Sequence, residues 1–252
     1  MKNKIIQFLP IKLYLYLRWY DFKFNRRSSF DKVQGLRHVD DEVTGGYEPF
    51  DRAKAIFVHV PKCAGISVNK ALFKSIAGGH TTLDEYINVF PPTLLQSYFK
   101  FTFVRNPWDR VVSAYSFLQQ GGLNQWDKEF YENELKEYGS FKAFIHHWLK
   151  PENLMKHHHF KPQHHYLIDK YNKISVDYIG YFESIEDDFT HIANKMNLNT
   201  ELKKHNAAQR IDYREYYDEE TKAIVGNIYA KDIEMLNYTF DGIDRPVRTI
   251  NL

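Results

Sequence analysis

The sequence predicts an α/β domain in which helices flank a central parallel sheet. Three observations carry that reading. Two short apolar runs, Ala55–Val60 and Phe101–Val104, are each followed by a turn and then by a segment with helical periodicity. A strand buried on both faces reads as continuous apolar sequence rather than as an alternation. A third such run, Tyr178–Phe182, precedes another helical segment, Glu183–Met196. The 252 residues, 43% hydrophobic and 16% aromatic, are enough for one sizeable core.

Residues 1–54 read as a basic, aromatic lead-in, and residues 55–252 as the domain. In the first stretch of the lead-in, up to Arg27, Lys2, Lys4, Lys12, Arg18, Lys23, Arg26 and Arg27 stand against Asp21 alone. Ile5–Leu17 is too short for a membrane span and is interrupted by Pro10 and Lys12. No small-residue cleavage site follows it, and Gly45-Gly46 marks a turn.

After the first strand come Pro61, Lys62, Cys63, Ala64, Gly65, Ile66 and Ser67, then the helical segment Val68–Ile76. A strand, a small-residue turn bearing a lysine, and a helix form a geometry that binds phosphate. Helix-start N–H groups point outward, the dipole favours an anion, and Gly65 lets the chain come close. The lysine precedes the glycine, so the nucleoside-triphosphatase pattern G-x-x-x-x-G-K-[ST] is absent. Gly78-Gly79 then opens a loop carrying His80. Pro91–Phe99 reads as a short helix leading into the second strand. Arg105 ends that strand, Pro107 suits a first helical turn, and Val111–Leu118 continues as helix. Arg105 and Ser113 are placed to converge on one anion, the planar guanidinium donating two parallel hydrogen bonds.

Asn124–Leu149 reads as one charged helical region with core aromatics. Lys156–Tyr166, KHHHFKPQHHY, holds five histidines. Histidine at that density suggests a metal site, but no cysteine or acidic cluster accompanies it in the sequence. Asp187 and Asp188 read as helix surface, His205–Tyr217 as a polar, aromatic loop, and Glu219–Leu236 as one amphipathic helix.

Together, PKCAGIS and VRNPWDRVVSAY resemble the nucleotide-binding elements of the carbohydrate (type 2) sulfotransferases. The first is similar to that family's 5′-phosphosulfate loop, the second to its 3′-phosphate motif. The likeness runs from about Ala55 to Phe240. It implies a P-loop-like, three-layer domain and the donor 3′-phosphoadenosine-5′-phosphosulfate. The implied reaction is transfer of a sulfuryl group to a hydroxyl of a carbohydrate or glycolipid acceptor. By the same resemblance Lys62 stabilises the leaving group, while Cys63, Ala64, Gly65, Ile66 and Ser67 form the donor loop. Ile66 stands where the family commonly has threonine. Arg105 and Ser113 take the 3′-phosphate, and His80 is the base. FKPQHHYL is similar to an acceptor-lining segment, which makes His159 and Gln163 candidate hydroxyl contacts. Glu183 sits at a strand–helix junction that orders the site. Arg210 or Arg214 covers the 3′-phosphate, although Ala207 and Ala208 replace the hydroxyl residue often seen there. Sulfuryl transfer of this kind needs no metal.

A net charge of +2 gives no global polyanion signal, so nucleic acid is not expected as a partner. Cys63 is the only cysteine, which excludes an intramolecular disulfide and suits a reducing compartment. Family members of the eukaryotic Golgi carry an amino-terminal anchor; this chain departs from them. The expectation is a cytoplasmic enzyme, with its basic, aromatic amino terminus either packed on the domain or lying on an anionic membrane surface. Two other readings stay open: a magnesium-dependent nucleotide kinase, and a non-catalytic glycan- or anion-binding protein on the same fold.

Overall fold

The computed structural model describes residues 8–41, 45–202 and 211–249. Two helices, α1 (Ile11–Asn25) and α2 (Arg27–Leu36), lead in, and α3 (Glu48–Ala53) precedes strand β1 (Ala55–Val58). Helix α4 (Gly65–Phe73) follows the first turn; α5 (Leu83–Val89) and α6 (Pro92–Ser97) lead to β2 (Phe99–Val104), and α7 (Pro107–Gln119) leaves it. Strand β3 (Tyr178–Tyr181) is followed by a 3-10 turn and α11 (Ile185–Lys195); between α7 and β3 lie α8 (Gln125–Phe130), α9 (Phe141–His147) and α10 (His164–Leu167). The chain closes with α12 (Glu219–Ile228), α13 (Ala230–Leu236) and the short pair β4 (Tyr238–Thr239) and β5 (Gly242–Ile243).

The three long strands make one parallel sheet in the order β1-β2-β3, with Phe57 opposite Phe101 and Phe103 opposite Gly180. Every residue of β1 and β3 is buried, as expected of strands covered on both faces. The free edge of β3 is closed by the carboxy-terminal segment, where the Ile179 N–H donates to the Arg248 carbonyl at 2.8 Å. Covering an edge in this way removes a site for unwanted strand pairing.

Among the described residues two apolar cores form. One surrounds the sheet and takes in Tyr14 and Leu15 of α1, so the lead-in packs into the domain. The other lies among α7, α9 and α12, with Trp148, Phe144, Phe160 and Val225 at its centre.

Three expected elements differ in detail. The region 124–149 is broken at Gly139 (φ 66°), after which the Ser140 hydroxyl caps α9 by accepting from the Ala143 N–H. The carboxy-terminal helix is split at Tyr229, whose hydroxyl donates to the Phe160 carbonyl at 2.7 Å. Asp188 is not surface: it is 1% exposed and accepts from the Tyr178 hydroxyl, the Tyr181 N–H and the Ser184 hydroxyl, with Arg248 as its ion-pair partner.

Candidate active site

The turn after β1 is tightly wound. Lys62 and Ala64 have φ of 69° and 60°, and Cys63 between them stays outside that region. Left-handed values are rare for residues with a Cβ and are retained where the surroundings enforce them. Alternating hand swings successive N–H groups to one side, which makes a concavity for an anion. Gly65 opens α4, and a Cβ there would lie 1.8 Å from the His59 Nε2. Only glycine lets the buried His59 ring sit against the start of this helix.

Arg105 leaves the end of β2 and reaches this same turn. Its Nη1 donates to the Lys62 carbonyl at 3.1 Å and its Nε to Asp109 at 2.6 Å, while the guanidinium lies 4.0 Å from the centre of the Phe182 ring. These bonds use two of the five guanidinium N–H donors. Ser113 stands one helical turn beyond Asp109 on α7 and is half-buried, so the two share a face.

Gln163 ties the two turns together. It is fully buried; its carbonyl oxygen accepts from the Arg105 N–H at 2.9 Å and the Cys63 thiol at 3.5 Å, and its amide donates to the Arg105 carbonyl at 2.8 Å. Buried Asp232 in turn accepts from the N–H groups of Gln163 and His164 at 2.7 and 2.8 Å. Both ends of the Gln163 carboxamide are thus committed, and it braces the site rather than facing an acceptor. Burial pushes the Cys63 thiol up to about 12, so it stays protonated at neutral pH.

The Lys62 ammonium sits 3.6 Å from the centre of the Phe117 ring, and Phe117 packs edge-on to His159 at 5.0 Å. His80 lies in the same cluster, with ring centres 4.4 Å from His59 and 4.6 Å from His158. Its Nδ1 is 3.2 Å from the His59 carbonyl oxygen. A carbonyl only accepts, so Nδ1 carries the proton and Nε2 keeps its lone pair. Burial lowers the His80 pKa, an effect opposed by the hydrogen bond to His59 and by Asp127 and reinforced by Lys62 and Lys161.

The histidine run behind it is neutral as well. Burial takes His157 down to about 4, against the pull of Asp127, and His158 down to about 2. The His159 pKa falls far below its usual value for the same reason. His157 Nε2 lies 3.1 Å from Asp127, and its Nδ1 accepts from the His159 N–H at 3.3 Å. Asp127, His157, His158 and His159 each offer a ligand atom within 4.8 Å of the others, a set able to hold a metal ion. The sequence shows no acidic companion to these histidines; the fold supplies one from 30 residues upstream. Both nitrogens of His157 already have partners, so a metal there must displace the proton shared with Asp127.

Two clefts border His80. One, of about 440 Å³, is lined by Glu85, His158, Lys161 and Tyr166 among others. The second, of about 520 Å³, is lined by Phe22, Val33 and Leu36 together with Gly78, Gly79 and Thr81. His158 is on a cleft wall, whereas His159 and Gln163 are buried. Arg214 is exposed and paired with Asp212 at 2.5 Å, on a 3-10 turn that packs against α7. Arg210 falls outside the described residues.

The model of the Sulfotransferase family matches residues 49–239. The chain belongs to the type 2 sulfotransferase family. A protein of Archaeoglobus fulgidus described as uncharacterized is 33% identical over 109 residues, covering 43% of this chain and 76% of that one. No solved structure matches. Membership establishes sulfuryl transfer as the general chemistry.

Around this site Glu183 is the residue expected at the strand–helix junction, and other supporting residues escape a sequence reading. Glu183 accepts from the Asn106 N–H at 2.6 Å and the Tyr238 hydroxyl at 3.0 Å, and partial desolvation raises its carboxyl pKa. Arg110, 1% exposed, donates to the carbonyls of His159 and Lys161 and so fixes the histidine run. The spacing of Arg105 and Asp109 is a readable i,i+4 pair. Asp232 and Phe117 carry no local signal, because their partners are distant in the chain.

Proposed function

We propose that this protein transfers the sulfuryl group of 3′-phosphoadenosine-5′-phosphosulfate to a hydroxyl of a carbohydrate-type acceptor, on a P-loop-like, three-layer domain. The observation that carries the reading is the hydrogen bond from Arg105 to the Lys62 carbonyl, which joins the two anion-binding turns in one site. The donor's two phosphate ends call for two such turns. The left-handed Lys62 and Ala64, the missing Cβ at Gly65 and the remaining guanidinium donors of Arg105 fit a doubly anionic nucleotide.

Bound there, the donor supplies an activated sulfuryl group and a diphosphate-like leaving group. The N–H groups of Cys63, Ala64, Gly65, Ile66 and Ser67 would face its 5′ end, and the Lys62 ammonium would meet the negative charge that grows on the departing oxygen. Arg105 and Ser113 would hold the 3′-phosphate, with Arg214 or Arg210 covering it. His80 Nε2 would accept the proton of the attacking hydroxyl. Its lowered pKa keeps it in the basic form at neutral pH, as a general base requires. Positioning and charge stabilisation do most of the work in such transfers. The setting we propose is cytoplasmic, where the single buried thiol meets no oxidant.

The test is transfer of ³⁵S-labelled sulfate from the donor into acceptor. Replacing His80 by alanine should lower turnover about a hundredfold or more, and near-normal turnover would remove it from the base role. Arg105→Ala should weaken donor binding; an unchanged donor Kd by calorimetry would refute that assignment.

A further inference from the structure

Helix α1 carries apolar side chains on two sides. Tyr14, Leu15 and Trp19 turn inward and are at most 8% exposed. On the outer side Leu13, Tyr16, Leu17, Tyr20 and Phe24 are 47, 38, 51, 48 and 67% exposed. At about 100° per residue, these five positions fall within an arc of about 100°, one stripe about 16 Å long. Phe8, just ahead of the helix, is 86% exposed. Single exposed apolar residues are ordinary on a soluble protein; a contiguous band of leucine and aromatic rings marks a contact surface.

The charge beside the stripe selects its occupant. Lys12 and Lys23 lie along one edge and Arg26 follows at the end of the helix, with Arg27 paired to Asp31 at 2.9 Å; Asp21 is the one acidic residue in Ile11–Asn25. A second copy of the chain would set these cations against themselves. An anionic bilayer satisfies both features, taking rings and leucines at the headgroup boundary and neutralising the basic edge. No described helix is long and apolar enough to cross a membrane, so the contact is with its surface.

The inner side of the same helix braces the site. Arg18 donates to Asp84 at 3.2 Å, and α5, which carries Asp84, begins three residues after His80. Phe22 of α1, with Val33 and Leu36 of α2, lines the same cleft as His80. We propose that the outer face of α1 seats on an anionic membrane surface, and that the acceptor is a lipid-linked hydroxyl. Its headgroup reaches His80 and its apolar part lies along Phe22, Val33 and Leu36. The docking half stands by itself; the acceptor half deepens the proposed sulfuryl transfer and rests on it.

Sedimentation of the full chain with vesicles separates the two. Wild type should bind phosphatidylcholine vesicles containing about 30% phosphatidylglycerol, bind pure phosphatidylcholine more weakly, and lose binding as salt rises. The double variant Leu17→Ser/Phe24→Ser should bind anionic vesicles at least about tenfold more weakly, with donor affinity by calorimetry unchanged. Equal binding by wild type and variant, or no binding by either, overturns the docking. So does a lipid-free dimer, seen by sedimentation velocity, that the same variant abolishes. In the transfer assay, vesicles of total lipid from the source cells should carry the ³⁵S label into the organic phase. Label confined to soluble glycans overturns the acceptor half. Vesicle binding without any transfer upholds the docking and counts against the sulfuryl-transfer reading.

Discussion

Acid should unfold this protein through its buried imidazoles. His59, His157 and His159 are 6, 0 and 6% exposed, and burial lowers the pKa of each. In the unfolded chain each titrates near the usual value of about 6.5. The folded-state values are depressed, so the unfolded state binds the extra protons and stability rises with pH. The stability tied to each neutral ring is complete above about pH 6.5 and drains away as pH falls from there toward the folded value, about 4 for His157. For one ring, linkage gives a loss of about 1.4 kcal/mol between about pH 7.5 and pH 5.5. Three rings give about 4 kcal/mol, a large part of the stability of an ordinary domain. The assay is urea unfolding at the two pH values for wild type and for His159→Gln. Whatever the substitution does at the higher pH, its loss on acidification should be smaller than wild type's by about 1.4 kcal/mol. Equal losses in both proteins would show that His159 accepts a proton in the folded state, and the account of a dry, neutral cluster would fail.

Further outcomes follow from particular contacts. Lys62→Ala should lower kcat about a hundredfold or more, because the cation opposite the departing charge is gone; a change confined to KM would contradict that role. Gly65→Ala should destabilise the fold by about 1–3 kcal/mol, since the new methyl would overlap the His59 ring at 1.8 Å; a thermal midpoint equal to wild type would show that the ring can move aside. Asp188→Ala leaves the Tyr181 N–H and two hydroxyls without their acceptor and strands Arg248. It should be about 3 kcal/mol or more less stable by chemical denaturation, and a loss below about 1 kcal/mol would mean water takes over those bonds. Burial pushes the Asp188 pKa up, but the hydrogen bonds from Arg248, Tyr178, Tyr181 and Ser184 outweigh it and lower the pKa. Their stabilisation is therefore present above the unfolded carboxyl value and lost as pH falls through the folded one.

What sequence conveys here is local. Ala55–Val60 and Phe101–Val104 are legible as strands because a buried strand needs an unbroken apolar run, and both turns that follow them announce a helix start. The break before Phe141 was readable too, since Gly139-Ser140 is a glycine followed by a capping hydroxyl. The split at Tyr229 was not, since no glycine, proline or capping residue stands at the break, and the Tyr229 hydroxyl bonds to Phe160, 69 residues away. Asp188 looked like ordinary first-turn acid until its partner Arg248 arrived from 60 residues downstream. In the site, residue types at the turns suggested phosphate chemistry, and the likeness to a known family sharpened it. The bracing by Gln163, the acid beside the histidine run and the ring under the Lys62 ammonium all depend on segments that meet only after folding. Gln163 and His159 were expected to face an acceptor; a motif gives a residue's neighbourhood but not which way its side chain turns.

The burial of Cys63 has a practical side. It is the chain's only thiol, 1% exposed, and protonated far above neutral pH. Maleimide and nitroxide reagents, which need an accessible thiolate, should pass it by. The native sequence thus serves as a silent background, and a cysteine introduced on the outer face of α1 or beside the His80 loop would report by fluorescence or spin label from that one position.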